Sequence, residues 1–228
     1  MKNLSTTIKL NRLSILFVLL FCGLSVDRAQ AATDRDTVKT MTMAAVPQKP
    51  TDISPLLVGE AIPDVTLADA SGKPVSLKQL VAQKPTILVF YRGGWCPFCN
   101  KQLAGLQSIE GDLRKTGYQI IGISTDSPEN LTATMGKQKL TYGLLSDSDL
   151  SVTKQFGLAF VAPKNYSNTL ISGSNGKNVD KLLPVPSVFI LSTKGNIQFE
   201  YINPDMTQRI SSELLQAAAN VMIKQDSK

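Results

Sequence analysis

Apolar positions near the middle of the chain first form a continuous run and then repeat with a helical period. The run extends from Thr86 to Phe90, which is the length of a strand, and no break interrupts it. Apolar residues then recur at steps of three and four, namely Cys99, Leu103, Leu106, Ile109 and Leu113. The pattern predicts a buried strand that turns into a helix.

Other segments alternate between strand and helix patterns, and the chain closes with a hairpin and an amphipathic helix. The predicted strands cover 62–67, 75–77, 119–125, 144–147, 184–191 and 196–201. The predicted helices cover 77–81 and 150–156, begin at Pro128 after the cap Ser127, and include Ile210, Leu214, Ala217, Ala218 and Val221. This order predicts an α/β layered domain.

One segment without a long period, Gly157 to Leu183, interrupts this order before the last two strands. We interpret it as an insertion. It is either a loop that shapes substrate access or a plain surface loop.

Residues 1–31 are typical of a secretory signal peptide, with a positively charged start, a short apolar core and the cleavage pattern Ala29-Gln30-Ala31. The alternatives are a membrane anchor and a lipoprotein attached through Cys22, although the apolar core is shorter than the roughly 20 residues that a membrane span needs. The composition of residues 32–54 predicts a flexible linker, and the length of residues 55–228 predicts a single domain.

Cleavage after Ala31 has two consequences. It removes Cys22, so that Cys96 and Cys99 are the only cysteines of the mature chain. It also leaves no stable membrane span. We therefore expect secretion across the inner membrane, into the periplasm or cell envelope.

The formal net charge of +6 is concentrated at the start of the chain. The predicted signal peptide carries Lys2, Lys9, Arg12 and Arg28 against Asp27, so it holds half of that charge. No basic run with interleaved aromatic residues remains, which argues against a nucleic-acid partner.

Two cysteines lie where the predicted strand becomes a helix. Gly93 and Gly94 permit a tight turn before them, and Pro97 suits a first helical turn. The helix end and Arg92 favour a thiolate, and a lowered pKa with access makes a cysteine reactive. Cys96 is expected to be the more exposed thiol, with Cys99 one turn further on the apolar face.

Other uses of this cysteine pair are less consistent with the sequence. A structural disulfide is one alternative, but a disulfide at a helix start is usually reducible. Zinc needs four ligands, and the chain contains no histidine and no second CxxC. Covalent haem needs CxxCH, whereas Asn100 follows Cys99. We expect no metal and no cofactor.

The string Trp95-Cys96-Pro97-Phe98-Cys99 resembles the WCxxC motif of thioredoxin-like proteins. With the preceding Phe-Tyr and the following Leu103, it resembles the peroxiredoxin-like branch of the AhpC/TSA family. Peroxiredoxins have FYPxxxTxxC here. In this register their proline falls on Arg92, their threonine on Cys96 and their peroxidatic cysteine on Cys99.

The resemblance implies a thioredoxin-like fold, with a central mixed β-sheet flanked by helices and an N-terminal hairpin extension. A second resemblance involves Val185 and Pro186. They are similar to the cis-proline loop of thioredoxin-like proteins, in which the residue before the proline pairs with a bound partner through its backbone. The alternative is a trans proline at a sheet edge. Pro186 also takes the place of an arginine that peroxiredoxins commonly carry nearby.

Two redox functions follow from the resemblance, and both pass through a Cys96–Cys99 disulfide. The first is an antioxidant thiol peroxidase, in which Cys99 attacks the peroxide and Cys96 resolves the sulfenic acid. The second is a thiol-disulfide oxidoreductase, in which Cys96 attacks a protein disulfide and Cys99 resolves it. Each needs a thioredoxin-like or other thiol donor. A non-catalytic binding module is the third alternative.

The candidate residues for binding substrate or partner are Arg92, Trp95, Pro97, Val185 and Pro186. Two further residues are interpreted first as structural. Asp126 is a turn residue or, as the alternative, a catalytic residue at the end of its strand, where sites of α/β proteins gather. Arg209 is surface charge at a helix start or, as the alternative, a residue that reaches the site. Thioredoxins carry a buried acid where this chain has Phe90, so the proton of Cys99 must be handled by water or by another group.

Overall fold

The computed structural model describes residues 45–226. The predicted signal peptide and the first part of the predicted linker lie outside the described residues. Nine strands are described: β1 (Thr66–Asp69), β2 (Pro74–Ser76), β3 (Thr86–Tyr91), β4 (Gln119–Ser124), β5 (Gly143–Ser146), β6 (Ala159–Val161), β7 (Leu182–Pro184), β8 (Ser187–Leu191) and β9 (Ile197–Ile202). Six α-helices accompany them: α1 (Leu77–Val81), α2 (Pro97–Lys115), α3 (Pro128–Gln138), α4 (Ser151–Gln155), α5 (Ser167–Gly173) and α6 (Ser212–Asp226).

Seven of the strands form one mixed sheet in the order β2-β1-β5-β4-β3-β8-β9. The central strand β3 pairs in parallel with β4 and antiparallel with β8. In the first pairing, Tyr91 lies opposite Ser124, so the two strands end together. Helices cover both faces, which confirms the predicted mixed sheet flanked by helices. The hairpin β1–β2 is also present.

All six residues of β3 are buried, because its two faces belong to two cores. Alternate side chains of a strand point to opposite faces. Ile87, Val89 and Tyr91 join the core under α2, α3 and α6, while Leu88 and Phe90 join the core under α1 and α4. Each fully buried large apolar side chain contributes about 1.5–3 kcal/mol. This strand therefore fixes the position of the loop that follows it.

Helix α2 buries the stripe that the sequence predicted, including Cys99, Leu103, Leu106 and Leu113. Pro97 is its first residue, where the missing N–H of proline costs nothing. The Tyr142 hydroxyl binds this helix by donating a hydrogen bond to the Leu103 carbonyl at 2.9 Å. Helix α2 is thus tied to the residue that precedes β5.

The insertion contains more structure than a loop. Strands β6 and β7 pair antiparallel in a separate two-stranded sheet. Between them lie a 3-10 turn, Lys164–Tyr166, and α5. Asn178 closes the segment by accepting from the Leu182 N–H and donating to the Leu182 carbonyl, both at 2.9 Å. The insertion is therefore an ordered segment with its own small sheet, separate from the seven-stranded sheet.

Part of the segment predicted as a flexible linker packs against the domain. The Pro47 carbonyl accepts from the Val161 N–H at 2.9 Å, and Ile53 packs against two buried clusters. The folded domain thus begins earlier than the predicted boundary at Pro55. Within residues 45–226, no helix combines the length and apolarity needed to cross a membrane.

Candidate active site

The loop between β3 and α2 is shaped by two glycines. Gly93 has φ +148°, and a Cβ there would overlap the Trp95 ring and lie 2.8 Å from Asp126 Oδ1. A Cβ on Gly94 would overlap the hydroxyl of Thr134. Only glycine fits these two positions without a shift of the neighbouring side chains.

The peptide groups of Gly94 are held on both sides. Asp126 Oδ2 accepts from the Gly94 N–H at 2.7 Å, and Asn100 Nδ2 donates to the Gly94 carbonyl at 2.8 Å. From the sequence, Asp126 is interpreted chiefly as a turn residue. In the structure, its carboxylate binds the loop that precedes the cysteines. The available signal was its place at the end of a strand beside β3, where sites in α/β proteins gather.

Both cysteines are free thiols at the start of α2. Cys96 is the N-cap residue, and Cys99 lies in the first turn. Cys96 was expected to be the more exposed thiol, but both are buried and the difference is small, because Cys96 is 1 % exposed and Cys99 0 %. The insertion also contacts this loop, since the ring centre of Tyr166 lies 5.5 Å from that of Trp95.

The two thiols have opposite pKa shifts. The pKa of Cys96 is lowered to about 6, chiefly because the Cys99 thiol donates to it, and the Cys99 N–H, Arg92 and Arg209 add to the effect against burial. The pKa of Cys99 is raised well above its usual value, first by burial and then by Cys96. The two thiols therefore titrate as a pair, and the directions of their pKa shifts favour the thiolate on Cys96.

Arg92 is a buried cation beside the dithiol. It is 2 % exposed, and its guanidinium lies 4.4 Å from the ring centre of Tyr166 and 5.0 Å from that of Trp95. Its Nη1 also contacts the sulfur of Met206. Its backbone N–H lowers the pKa of Cys99, and its charge lowers that of Cys96. Arg92 and Trp95 thus form one stack next to the thiols.

Arg209 reaches the dithiol from the other side. Its Nη2 lies 3.8 Å from Cys99 Sγ, and its Nη1 donates to the Gln208 carbonyl at 3.0 Å. The sequence interpreted Arg209 as surface charge, because the segment between β9 and α6 has no periodic pattern that places its side chains. A second arginine is therefore part of the site.

The prediction of a cis-proline loop is wrong, because no peptide bond is cis among the described residues. The trans form of an X–Pro bond is favoured by about 0.5–1 kcal/mol. The backbone of Val185 is also occupied: its N–H donates to the Leu158 carbonyl and its carbonyl accepts from Ser187 Oγ, both at 2.9 Å. Val185 is fully buried, so it offers no backbone groups to a partner chain.

Each of the two arginines lines a cavity. One of about 210 Å³ lies over Arg92 and has an apolar wall. Its other lining residues are Pro50, Phe160, Pro163, Tyr166, Pro184, Pro186, Pro204 and Met206. A groove of about 430 Å³ contains Arg209, Lys101 and the partly exposed Phe98.

The structure brings most of the predicted site residues together. Arg92, Trp95, Cys96, Pro97 and Cys99 share one loop and helix start, with Pro97 exposed. Pro186 lines the same cavity as Arg92. Val185, which precedes it, is fully buried. Within residues 45–226, no group of three or more cysteine, aspartate, glutamate or histidine side chains is placed to hold a metal ion.

Comparisons with known proteins agree with this geometry. The AhpC/TSA family matches residues 58–200. The chain is 37 % identical over 106 residues to peroxiredoxin Bcp of Escherichia coli, covering 46 % of this chain and 67 % of that protein. It is 31 % identical over 157 residues to chloroplastic peroxiredoxin Q of Sedum lineare, covering 69 % of this chain and 75 % of that protein.

A similar fold occurs in the crystal structure of peroxidoxin BcpB from Mycobacterium tuberculosis. The TM-score is 0.59 at 21 % identity, and the match covers 74 % of this chain and 96 % of that one. This likeness, together with the mixed sheet and its flanking helices, confirms the predicted thioredoxin-like fold. The extent of the family match and the identity to the two peroxiredoxins show that the chain belongs to the AhpC/TSA family.

Proposed function

We propose that this protein is a peroxiredoxin-like thiol peroxidase that reduces peroxides through its Cys96–Cys99 dithiol. Its membership of the AhpC/TSA family and its similarity to peroxiredoxins support the reaction class. The observation that carries the proposal is the pair of free thiols at the start of α2, with the Arg209 guanidinium 3.8 Å from Cys99 Sγ. A thiolate is the form of cysteine that attacks a peroxide.

The charge distribution favours Cys96 as the attacking sulfur. Its thiolate forms a bond to one peroxide oxygen, the O–O bond breaks, and the departing oxygen leaves as an alcohol or water after taking up a proton. Cys96 becomes a sulfenic acid. Cys99 then displaces its oxygen as water, which closes the disulfide. An external thiol donor, thioredoxin-like or of another kind, returns both sulfurs to thiols.

The family register gives the opposite order, with Cys99 as the peroxidatic residue. Arg209 is the observation that favours it, since the guanidinium lies 3.8 Å from Cys99 Sγ. Arg92 serves either order, because its charge lowers the pKa of Cys96 and its N–H that of Cys99. Arginine donors next to the reacting sulfur also suit the oxygens of a bound peroxide.

A sulfenic-acid probe decides the order. After peroxide treatment, we expect labelling of Cys96 in a Cys99→Ser variant, and loss of peroxide consumption in a Cys96→Ser variant. Labelling of Cys99 in Cys96→Ser, with consumption lost in Cys99→Ser, would assign the first step to Cys99. If neither variant is labelled and neither consumption rate changes, the peroxidase proposal is wrong.

Reduction of protein disulfides is the second candidate function. The low pKa of Cys96 and the buried thiol of Cys99 also suit thiol–disulfide exchange. The fully reduced protein should therefore be mixed separately with hydrogen peroxide and with a protein disulfide such as insulin. Faster turnover of insulin, with negligible peroxide consumption, would favour the reductase. The binding-module alternative loses its expected contact, because the Val185 backbone is occupied.

We also propose that the chain is exported and cleaved after Ala31, and that it acts in the cell envelope. The charged start, short apolar core and Ala-x-Ala pattern support this. Mass spectrometry of the protein from the envelope should find an N-terminus at or near Ala32. An intact N-terminus, or a lipid on Cys22, would contradict it.

A further inference from the structure

Arg92 is a buried cation without a carboxylate partner in the described part of the chain. Its side chain is 2 % exposed, and its Nε has no hydrogen-bond partner. Within residues 45–226, none of the ion pairs involves this guanidinium. It contacts the sulfur of Met206, which is only a weak acceptor. A buried charge is costly unless it is paired, so the guanidinium is suited to receive an anion.

The position of Arg92 is already fixed. Its carbonyl accepts from the Thr125 hydroxyl at 3.0 Å, which holds the backbone just after β3. Its guanidinium stacks on two rings, 4.4 Å from the ring centre of Tyr166 and 5.0 Å from that of Trp95. A group that is ordered and desolvated before binding loses little freedom when a ligand arrives. The cation is therefore preorganised for a ligand.

The cavity of about 210 Å³ over Arg92 limits the size and polarity of such a ligand. Arg92 is the only charged residue of its lining, and five prolines and Phe160 form most of the remaining wall. Two of these prolines, Pro163 and Pro204, are exposed, so the cavity reaches the surface. Pockets for drug-sized ligands have roughly 300–1,000 Å³. The cavity therefore suits a small molecule with an apolar body.

The lining favours a carboxylate among the possible anions. A guanidinium binds a carboxylate through two parallel hydrogen bonds, and one negative charge then lies against one positive charge. A phosphate has more charge and more acceptor oxygens than a single arginine can satisfy, and the apolar wall offers it no further charge. An alkyl chain or ring attached to the carboxylate would cover the prolines and remove apolar surface from water.

The dithiol changes the charge near Arg92 when it is oxidised. The Cys99 thiol chiefly, and the Arg92 charge in addition, lower the pKa of Cys96 to about 6, so the reduced protein has a thiolate there at pH 7. The Cys96–Cys99 disulfide has no charge, whereas an arginine stays protonated. An anion in the cavity is repelled by the thiolate in the reduced protein and not in the oxidised one.

We propose that the cavity over Arg92 binds a small monocarboxylate with an apolar body, and binds it more tightly when Cys96 and Cys99 form a disulfide. The carboxylate pairs with the guanidinium, and the apolar body lies against the prolines and Phe160. Because coupling between two equilibria is reciprocal, the bound carboxylate stabilises the disulfide by the same factor. The binding site goes beyond the proposed peroxidase function, whereas its redox preference rests on the dithiol–disulfide cycle of that function.

Hexanoate is the probe, and Trp95 provides the signal. This residue is the only tryptophan of the chain, and Arg92 stacks on its ring. The disulfide form is prepared with diamide, so that the assay does not depend on peroxide. At pH 7 we expect a saturable fluorescence change with a Kd at least about fivefold lower for the disulfide form than for the dithiol form. Hexanamide has a similar shape without the charge and should bind at least about tenfold more weakly.

Three variants separate the cation from its surroundings. Arg92→Gln should weaken hexanoate binding at least about tenfold. Arg209→Gln is the matched control, because it removes the other arginine near the dithiol, which does not line this cavity, and should change the Kd of the disulfide form by less than about twofold. Cys96→Ser removes the thiolate, so this variant under reducing conditions should bind hexanoate within about twofold of the disulfide form. If Arg92→Gln does not fold, hexanoate against hexanamide on the unsubstituted protein decides whether the charge is needed.

The reciprocal effect is measured on the thiols. The protein is equilibrated in a buffer of reduced and oxidised dithiothreitol, which carries no carboxylate, and the free thiols are counted by alkylation. Saturating hexanoate should lower the reduction potential of the Cys96–Cys99 pair by about 20 mV, which is the fivefold preference converted at about 30 mV per tenfold. Hexanamide at the same concentration should leave the potential unchanged.

Each result supports or contradicts a defined part of the proposal. Tighter binding of hexanoate to the disulfide form, its loss in Arg92→Gln and the lowered potential support it. Absence of saturable binding, equal binding of hexanamide, or unchanged binding in Arg92→Gln overturns the site. Equal Kd values for the two redox forms overturn the redox preference. Absence of peroxide consumption by the unsubstituted protein, assayed without hexanoate, overturns the proposed function and leaves the binding site in place.

Discussion

Two buried aspartates follow neighbouring parallel strands of the sheet and differ in what their carboxylates hold. Asp126 comes two residues after β4, and Asp147 comes directly after β5. Both are at most 2 % exposed, and burial raises the pKa of each. Asp147 accepts from the Val152 N–H at 3.0 Å and from the Thr153 N–H and hydroxyl, each at 2.6 Å.

The two carboxylates differ in how fully they are hydrogen-bonded and in whether they face a cavity. Asp147 satisfies the first turn of α4 and has its partners within one short segment. Asp126 accepts from Gly94 and Ser124 and faces a cavity beside the dithiol. A fully paired buried carboxylate stabilises structure, whereas a partly paired one in a cavity with a perturbed pKa is suited to function. The following predictions test this contrast.

The largest expected effect is on stability at Asp147. Asp147→Ala leaves the donors of Val152 and Thr153 buried without an acceptor, and we expect the free energy of unfolding to fall by about 3 kcal/mol. Asp126→Ala should cost about 1 kcal/mol, because it removes fewer bonds. Urea unfolding at neutral pH measures both. A larger loss at Asp126 would reverse the proposed assignment of roles.

The second effect is a pH dependence of stability at Asp126. Its folded pKa of about 6 exceeds the ordinary value of 3.8, so its contribution is fully present below pH 3.8 and is lost as pH rises through 6. Asp126→Asn removes this loss. Relative to the unsubstituted protein, the variant should gain about 2 kcal/mol in unfolding free energy between pH 4 and pH 8, since one pKa unit is about 1.4 kcal/mol. A pH-independent difference would show that the carboxylate is ionised in both states.

How far the sequence predicts this molecule depends on how local each feature is. Helix α1 was predicted at its observed bounds, and α2 along its buried stripe, because each has a periodic pattern within one segment. Strands β6 and β7 have three residues each and pair only with each other. Three residues are too few to show a period, so the sequence predicts a loop here.

The same contrast between local and non-local features applies to the residues of the site. Arg92, Cys96 and Cys99 lie in one stretch, so the sequence placed them together. Asp126 reaches that stretch only because β4 lies beside β3, and Arg209 only because the segment before α6 returns to α2. Strand order and return of the chain are not visible in residue spacing, and the sequence therefore favours structural interpretations of both residues over a place in the site.

The third prediction concerns the loop that Asp126 holds. Gly94→Ala places a methyl group against the Thr134 hydroxyl and shifts the N–H that donates to Asp126. We expect peroxide turnover to fall about tenfold, equivalent to about 1.4 kcal/mol of barrier. Gly111→Ala is the matched control, since a Cβ there meets nothing within 4 Å, and it should leave turnover unchanged.

A second-site change sharpens this test. Thr134→Ala removes the hydroxyl that the new methyl group would overlap, so the double variant should recover part of the lost turnover. If Gly94→Ala is as active as the unsubstituted protein, the loop tolerates the shift and the clamp by Asp126 has no role in the reaction.

The smallest expected effect is on the pKa of Cys96, and it tests whether Asp126 acts on that thiolate. Alkylation of Cys96 by iodoacetamide should have a pH midpoint near 6. Arg209→Gln should raise that midpoint, because it removes a positive charge that lowers the pKa. Asp126→Asn should shift it by less than about half a unit, since the causes of the Cys96 shift are the Cys99 thiol, the Cys99 N–H, burial and the two arginines. A shift of more than one unit in Asp126→Asn would mean that the carboxylate acts on the attacking thiolate directly.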